Sequence, residues 1–191
     1  RKNPLMVGFP CLALDKYIPI LLDNNFTIVL IDQSHDGSSI TRDVKQIISP
    51  STYTEHLDNN FLLVLFIDVV NNKVLIGLSA IDLLTGKNFS HECYSTHNDN
   101  LAIDDALSFI KRFHPREIVL SCFSTKTISS LDLINYFELN INNVKVHITD
   151  VKKNVTTVEY QENVLSYVFE NKSMLTHIEY LNFEKKPYAL V

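Results

Sequence analysis

Glycine is scarce in this chain, with four among 191 residues. None stands in a Gly-x-x-x-x-Gly-Lys-[Ser/Thr] run, so the sequence offers no phosphate-cradling loop of that kind. With only six prolines besides, a collagen-like or linker-dominated chain is excluded. Cysteine is equally sparse. Cys11, Cys93 and Cys122 are odd in number and far apart, which excludes a disulfide framework and a metal-ligand spacing. That usage points to an intracellular, reducing compartment, with Cys122 as a small hydrophobe at the end of an apolar run. Positive charge is outnumbered: 17 Lys and Arg stand against 22 Asp and Glu, a formal net charge of -5. A strongly basic DNA-wrapping module is thereby excluded and a scaffold or protein-contacting module favoured, although net charge averages over faces and permits a local basic patch. No apolar stretch reaches the roughly 18 residues that span a bilayer, and no secretory leader is present, so no membrane partner is expected.

What is abundant is core material. Hydrophobic residues make up 46% of the chain, with 11 Phe and 8 Tyr. Helical spacing of Leu14, Tyr17, Ile18, Leu21 and Leu22 predicts a helix over 12–25, in which Pro19 either makes a kink or sits in a first turn starting near Ile18. A short strand is expected over 26–31, a polar turn over 35–39 and an exposed alternating strand over 40–48. One helix and two strands are too few to close a core, so further strands are expected before Arg1.

After a polar boundary over 54–60, residues 61–70 are almost all apolar, as suits a central strand covered on both faces. Asn71-Asn72 supplies a tight turn into a strand over 73–83, and Thr85-Gly86 a second turn into a strand over 87–94. The period then becomes helical at Ile103, Ala106, Leu107, Ile110 and Phe113, with Asp99 as cap and His114-Pro115 as stop. A strand over 117–122, a helix over 126–138 and a strand over 144–149 follow. Three antiparallel strands, then helix, strand, helix, strand, is the element order of a ribonuclease-H-like α/β domain. The expected mixed five-stranded sheet has the order 3-2-1-4-5. An amphipathic helix over 159–173 and a further helical segment over 175–183 close the chain.

Several short elements, taken in order, resemble the MutS family of DNA mismatch-repair proteins. Gly8-Phe9-Pro10-Cys11-Leu12-Ala13 followed by Tyr17 is similar to the family's Gly-x-Pro-Tyr-His-Ala pattern and its Tyr-bearing helix. Asp32-Gln33 stands where the family has Glu-Gln. Arg42-Asp43-Val44 and Ser49-Pro50-Ser51-Thr52 resemble its Arg-x-Val and Thr-Pro-Gly-Thr. Asn59-Asn60-Phe61-Leu62 and Asp82-Leu83-Leu84-Thr85-Gly86 resemble the connector's entry and its Asp-Leu-Ser-Thr-Gly. Tyr160-Gln161, Val164-Leu165 and Glu179-Tyr180-Leu181 resemble the start of the lever domain. Leu12 replaces the motif's His and Ser51 its Gly, so the turn at Ser51 is expected to differ from the family's.

The resemblance implies three parts. Residues 1–57 correspond to the end of a partial α/β mismatch-recognition domain, 58–154 to the connector domain, and 155–191 to the helical start of the lever. It implies that the intact protein is a DNA-dependent ATPase using ATP and Mg2+, acting on mismatched double-stranded DNA and a MutL-like partner. A homo- or heterodimer would form through other domains. No catalytic, cofactor-binding or metal residue is expected within these 191 residues. The Phe-x-Glu mismatch reader of the family does not precede Gly8, so binding of mismatched DNA by this chain alone is expected to be weak or nil.

Three other function classes compete, of which a nucleotide-binding α/β domain would want a glycine-rich first turn where this chain has Asn71-Asn72. A divalent-metal nuclease of ribonuclease-H type would gather Asp68, Asp82 and Asp104 or Asp105, but the fourth strand offers Glu117 at its start and Ser121-Cys122 at its end, and turn and cap roles explain the same carboxylates. A standalone protein-interaction domain would need to fold without the rest of such a protein. His91, Tyr94 and His97 share an edge region with no evident acidic partner, and His114 and His147 read as a helix-end and a strand-face residue. Arg42, Lys45, Lys152 and Lys153 are the candidate DNA or domain contacts, with Lys111, Arg112 and Arg116 as further phosphate candidates against a plain solvated reading.

Overall fold

The computed structural model describes residues 8–36, 39–53, 60–122, 128–140, 143–150, 155 and 157–168. The chain divides into two compact units, Arg1–His56 and Leu57–Val191.

In the first unit a 3-10 turn, Cys11–Ala13, leads into α1, Leu14–Asp23. The helix runs through Pro19 rather than starting beside it. Proline there withdraws one backbone donor from the helix ladder, and burial of Ile18 and Leu22 on one side offsets that loss. The antiparallel strands β1, Ile28–Asp36, and β2, Ser39–Ile48, form a two-stranded sheet. β1 is longer than its apolar run, because pairing continues through Gln33, Ser34 and His35, which the sequence places in or near a turn. Ladder hydrogen bonds rather than side-chain burial hold that polar extension. Gly37 and Ser38 lie outside the described residues. Ile18, Leu22, Ile48 and Tyr53 make a small core with Leu14, Ile28 and Leu30 against it. At Ser51 no left-handed residue is used. Instead the Ser49 carbonyl accepts from the Thr52 and Tyr53 amides, each at 3.1 Å, and Thr52 Oγ1 accepts from the Ser49 amide at 2.7 Å.

The second unit is built on a five-stranded mixed sheet of order β5-β4-β3-β6-β7. Its strands are β3, Phe61–Val70; β4, Lys73–Asp82; β5, Asn88–Thr96; β6, Glu117–Cys122; and β7, Lys145–Ile148. β3, β4 and β5 form an antiparallel meander, while β6 is parallel to β3 and β7 to β6. This is the expected order, with the most apolar strand at the centre. Alternation assigns the faces: Leu63, Leu65 and Ile67 pair across to Ala80, Leu78 and Ile76 on one side and to Ile118, Leu120 and Cys122 on the other. These residues form one core with Ala102, Ala106 and Ile110 of α2, Leu101–Phe113, and with Leu133 and Ile134 of α3, Ser130–Tyr136. Both helices therefore cover the same face. On the other face Phe66, Asp68 and Ser121 are also buried.

The helix boundaries have local causes. Asp99 accepts from the Leu101 amide at 3.2 Å, although Asn100 occupies the cap position itself. His114 ends α2 in the left-handed region at φ 45°, its amide donating to the Ile110 carbonyl. α3 is shorter than its periodicity and begins where Ser129 accepts from the Leu131 amide; residues 123–127 lie outside the described residues. A further helix, α4, spans Val158–Val168, and the segment expected over 175–183 falls outside the described residues.

The β3–β4 turn is the most residue-specific feature of the sheet. Asn71 and Asn72 both take positive φ, 51° and 62°, the conformation that a two-residue hairpin turn requires. Asn tolerates it and a β-branched side chain does not. Asn72→Val is expected to destabilise the domain by about 1–3 kcal/mol in urea denaturation, while Asn72→Gly leaves it unchanged or slightly more stable.

Candidate functional site

The carboxylates of the nuclease reading do not gather. Asp82 pairs with Phe61 at one end of the β3–β4 ladder, and Asp68 lies seven residues further along β3, roughly 23 Å away at strand rise. Their faces differ as well. Asp68 alternates with Phe66, on the face opposite α2, whereas Asp104 and Asp105 belong to α2. Each carboxylate has local work. Asp82 accepts from Thr85 Oγ1 at 2.6 Å and from the Leu84 amide at 3.0 Å. The Thr85 bond, foremost, holds its carboxyl below the usual range against the opposing effect of burial. Asp104 accepts from the Tyr136 hydroxyl, tying α2 to α3 and raising the phenol's pKa through that hydrogen bond. Glu117 is buried, with His147 Nε2 at 3.4 Å from its Oε1.

One polar cluster escapes the sequence pattern. His91 Nε2 lies 2.8 Å from Asp105 Oδ2, and the His91 ring stacks on Phe109 at 5.8 Å between centroids. The acidic partner missing from the linear sequence thus comes from α2. Cys93, next on the same face of β5, has its thiol within 4.8 Å of the ligand atoms of both. The thiol donates to the Ala102 carbonyl at 3.3 Å. Burial pushes it up to about 12, with Asp105 and Glu92 adding to the effect. The cluster is therefore a protonated thiol beneath a half-exposed His–Asp pair. Tyr94 points to the opposite face of β5, so His91 and Tyr94 form no joint site. Alternation along β5 carries a signal for the His91–Cys93 neighbourhood; the Asp105 contact has none.

Of the four candidate contact cations, two fall among the described residues. Arg42 and Lys45 lie on the exposed β2 strand. Lys45 Nζ is 3.1 Å from Asp32 Oδ2, and Arg42 Nε donates to Gln33 Oε1 at 3.3 Å. Lys152 and Lys153 lie outside the described residues. No described helix is long and apolar enough to cross a membrane. As for ATP and Mg2+, Gly86-Lys87 is followed by Asn88 in a hairpin turn and preceded five positions earlier by Ile81, so these residues do not form a nucleotide cradle.

Comparison with known proteins agrees with the ordered motifs. The family model for MutS domain I matches residues 1–56. A protein of Acanthamoeba polyphaga mimivirus, described as a DNA mismatch repair mutS homologue, is 29% identical over 99% of this chain and 19% of its own length. A DNA mismatch repair protein MutS of Clostridium botulinum (strain Hall) is 30% identical over 93% of the chain and 21% of its own length. The chain thus spans about a fifth of these relatives. Among solved structures, ribonuclease H1 of Halobacterium salinarum matches at 17% identity, covering 49% of this chain and 87% of that one. Its TM-score of 0.30 is too low to carry an argument, and the sheet order rests on strand pairing instead. The chain is a distant homologue of the MutS DNA mismatch repair proteins, with a match to MutS domain I at its N-terminal end.

Proposed function

We propose that these residues serve a mismatched-DNA-binding ATPase of MutS type, and that the five-stranded domain connects mismatch recognition to the ATPase parts and to a MutL-type partner. The observation that carries the reading is the succession along the chain. A MutS domain I match over residues 1–56 is followed directly by a separate mixed α/β unit, within a stretch that aligns with a mismatch-repair homologue over 99% of its length. A close-packed sheet suits such a role, because its side chains move together and pass displacement to both ends. ATP and Mg2+, the mismatched duplex and a dimer mate belong to this proposal for the intact protein, working in a reducing intracellular compartment.

The domain offers a surface for the partner step. Leu101 and Leu131, 69% and 67% exposed, open α2 and α3 on the same sheet face and add little to the core. In the intact protein the double substitution Leu101→Ser and Leu131→Ser is expected to weaken partner capture about tenfold, equivalent to roughly 1.4 kcal/mol. ATP turnover is expected to stay within about twofold. Pull-down affinity and steady-state hydrolysis, measured on the same preparation, decide it. Parallel loss of hydrolysis and capture refutes a connecting role.

A further inference from the structure

The charges of the five-stranded unit are sorted by the topology. At one end β3, β6 and β7 begin while β4 and α2 finish. The Arg116 amide donates to the Phe61 carbonyl at 3.1 Å, and the Lys145 amide to the Arg116 carbonyl at 3.0 Å. The Phe113 ring, at the end of α2, packs on Phe61 at 5.1 Å and on Phe89 at 4.8 Å. The Asp82 amide donates to the Lys87 carbonyl at 2.8 Å. These contacts bring Lys87, Lys111, Arg112, Arg116 and Lys145 to the same end. Of the described carboxylates there, Asp82 and Glu117 are buried and Glu138 is exposed. Among the described residues the opposite end carries Asp99, Asp104, Asp132 and Asp150, with Lys73 as the cation. A chain of net charge -5 thus contains a domain with one cationic end.

Lys111 and Arg112 have a local explanation, since cations near a helix C-terminus offset its dipole. That explanation does not extend to Lys87, Arg116 or Lys145, which stand at strand ends. The row runs from β5 across to β7, four strand intervals or roughly 19 Å. A span of that length matches about half a turn of duplex, whose backbone advances about 3.4 Å per nucleotide along each strand.

We propose that this strand-start end of the sheet is a sequence-independent contact for the phosphate backbone of duplex DNA. The choice of DNA as the polyanion rests on the mismatch-repair reading; the cationic end itself does not. Contacts of this type position a protein without reading bases, so a paired and a mismatched duplex bind equally.

The test is fluorescence anisotropy of a short, fully paired duplex with the 191-residue chain, from about 50 to about 200 mM salt. The expected dissociation constant at low salt lies between about 10⁻⁶ and 10⁻⁴ M, with a log–log salt slope of about −2.7 to −4.5 for three to five phosphate contacts. The triple variant Lys111→Gln, Arg112→Gln, Arg116→Gln is expected to lose at least about tenfold in affinity and about 2.7 in slope. Arg112→Lys with Arg116→Lys keeps both charges and the slope, which separates lost charge from lost folding. Lys73→Gln, at the opposite end, changes nothing. No binding at low salt overturns the proposal, as does a triple variant with the parental slope. Equal competition by an acidic peptide of matched charge also overturns it, by reassigning the surface to a protein. Each of those results leaves the partner-capture test on the intact protein untouched, so the two readings fail separately.

Discussion

Leu65→Ala is expected to destabilise the five-stranded domain by about 2–5 kcal/mol, measured as a lower urea midpoint with an unchanged slope. Leu65 is fully buried at the middle of the central strand, with Leu78 beside it on β4 and Leu120 on β6. The same core includes Ala106 and Ile110 of α2. Truncation removes the transfer free energy of the lost methyl groups and leaves a cavity hemmed by strands on both sides, where the backbone ladder limits collapse. Because the site is central, the cost should lie toward the upper part of that range. Leu101→Ala is the internal comparison: its side chain is 69% exposed, and its effect should stay within about 0.5 kcal/mol. Equal shifts for the two would mean that β3 is not the packing centre of the domain, and with that the case for a rigid connecting body would fall.

That centre is visible in the sequence because burial on both faces leaves a nearly continuous apolar run, here residues 61–70 with Asp68 as the polar member, and few other structures do. The Asn71-Asn72 turn is equally legible, since few residue types accept two successive positive φ angles. From those two features and the later change to helical period, the order of the sheet follows. The ends of elements are less legible. β1 extends through Gln33, Ser34 and His35 because β2 offers it a ladder, and no side-chain pattern announces that. Least legible is what the crossovers bring together. His91 and Asp105 meet only because α2 lies along the edge strand, and the separation of cations from carboxylates appears only once strand starts and ends are assigned. A linear reading takes Lys111, Arg112 and Arg116 as separate solvated charges; the fold gives them a common location. Conversely, Asp68 and Asp82 look like partners along the chain, and the antiparallel register sets them at opposite ends of two strands.

The buried thiol provides a readout of how firmly α2 is held. At pH 8 a group with its pKa at about 12 is ionised in roughly one molecule in 10⁴, and only the thiolate is alkylated. Cys11 is exposed, whereas Cys93 is 6% exposed beneath α2, and burial also raises Cys122. Iodoacetamide is therefore expected to modify Cys11 at least about a thousand times faster than Cys93, with mass spectrometry of peptides following each site. Residual reaction at Cys93 requires α2 to lift from β5, so its rate measures that local opening. Asp105→Ala removes the His91 contact, a half-exposed pair that contributes about 0.2–1 kcal/mol after solvent screening. Opening and Cys93 labelling should then rise about 1.5- to 5-fold, with Cys11 unaffected. The same substitution removes a nearby negative charge that helps keep the thiol protonated, and a lowered pKa raises labelling by the same factor at every pH well below it, so the opening is measured separately by hydrogen exchange. A gain that hydrogen exchange in α2 reproduces identifies opening, whereas a gain in labelling with unchanged exchange identifies the altered thiol pKa. Cys93 labelling as fast as Cys11 in the parent chain would show that α2 is not held on the sheet, and a helix loose on that face cannot relay displacement between neighbouring parts.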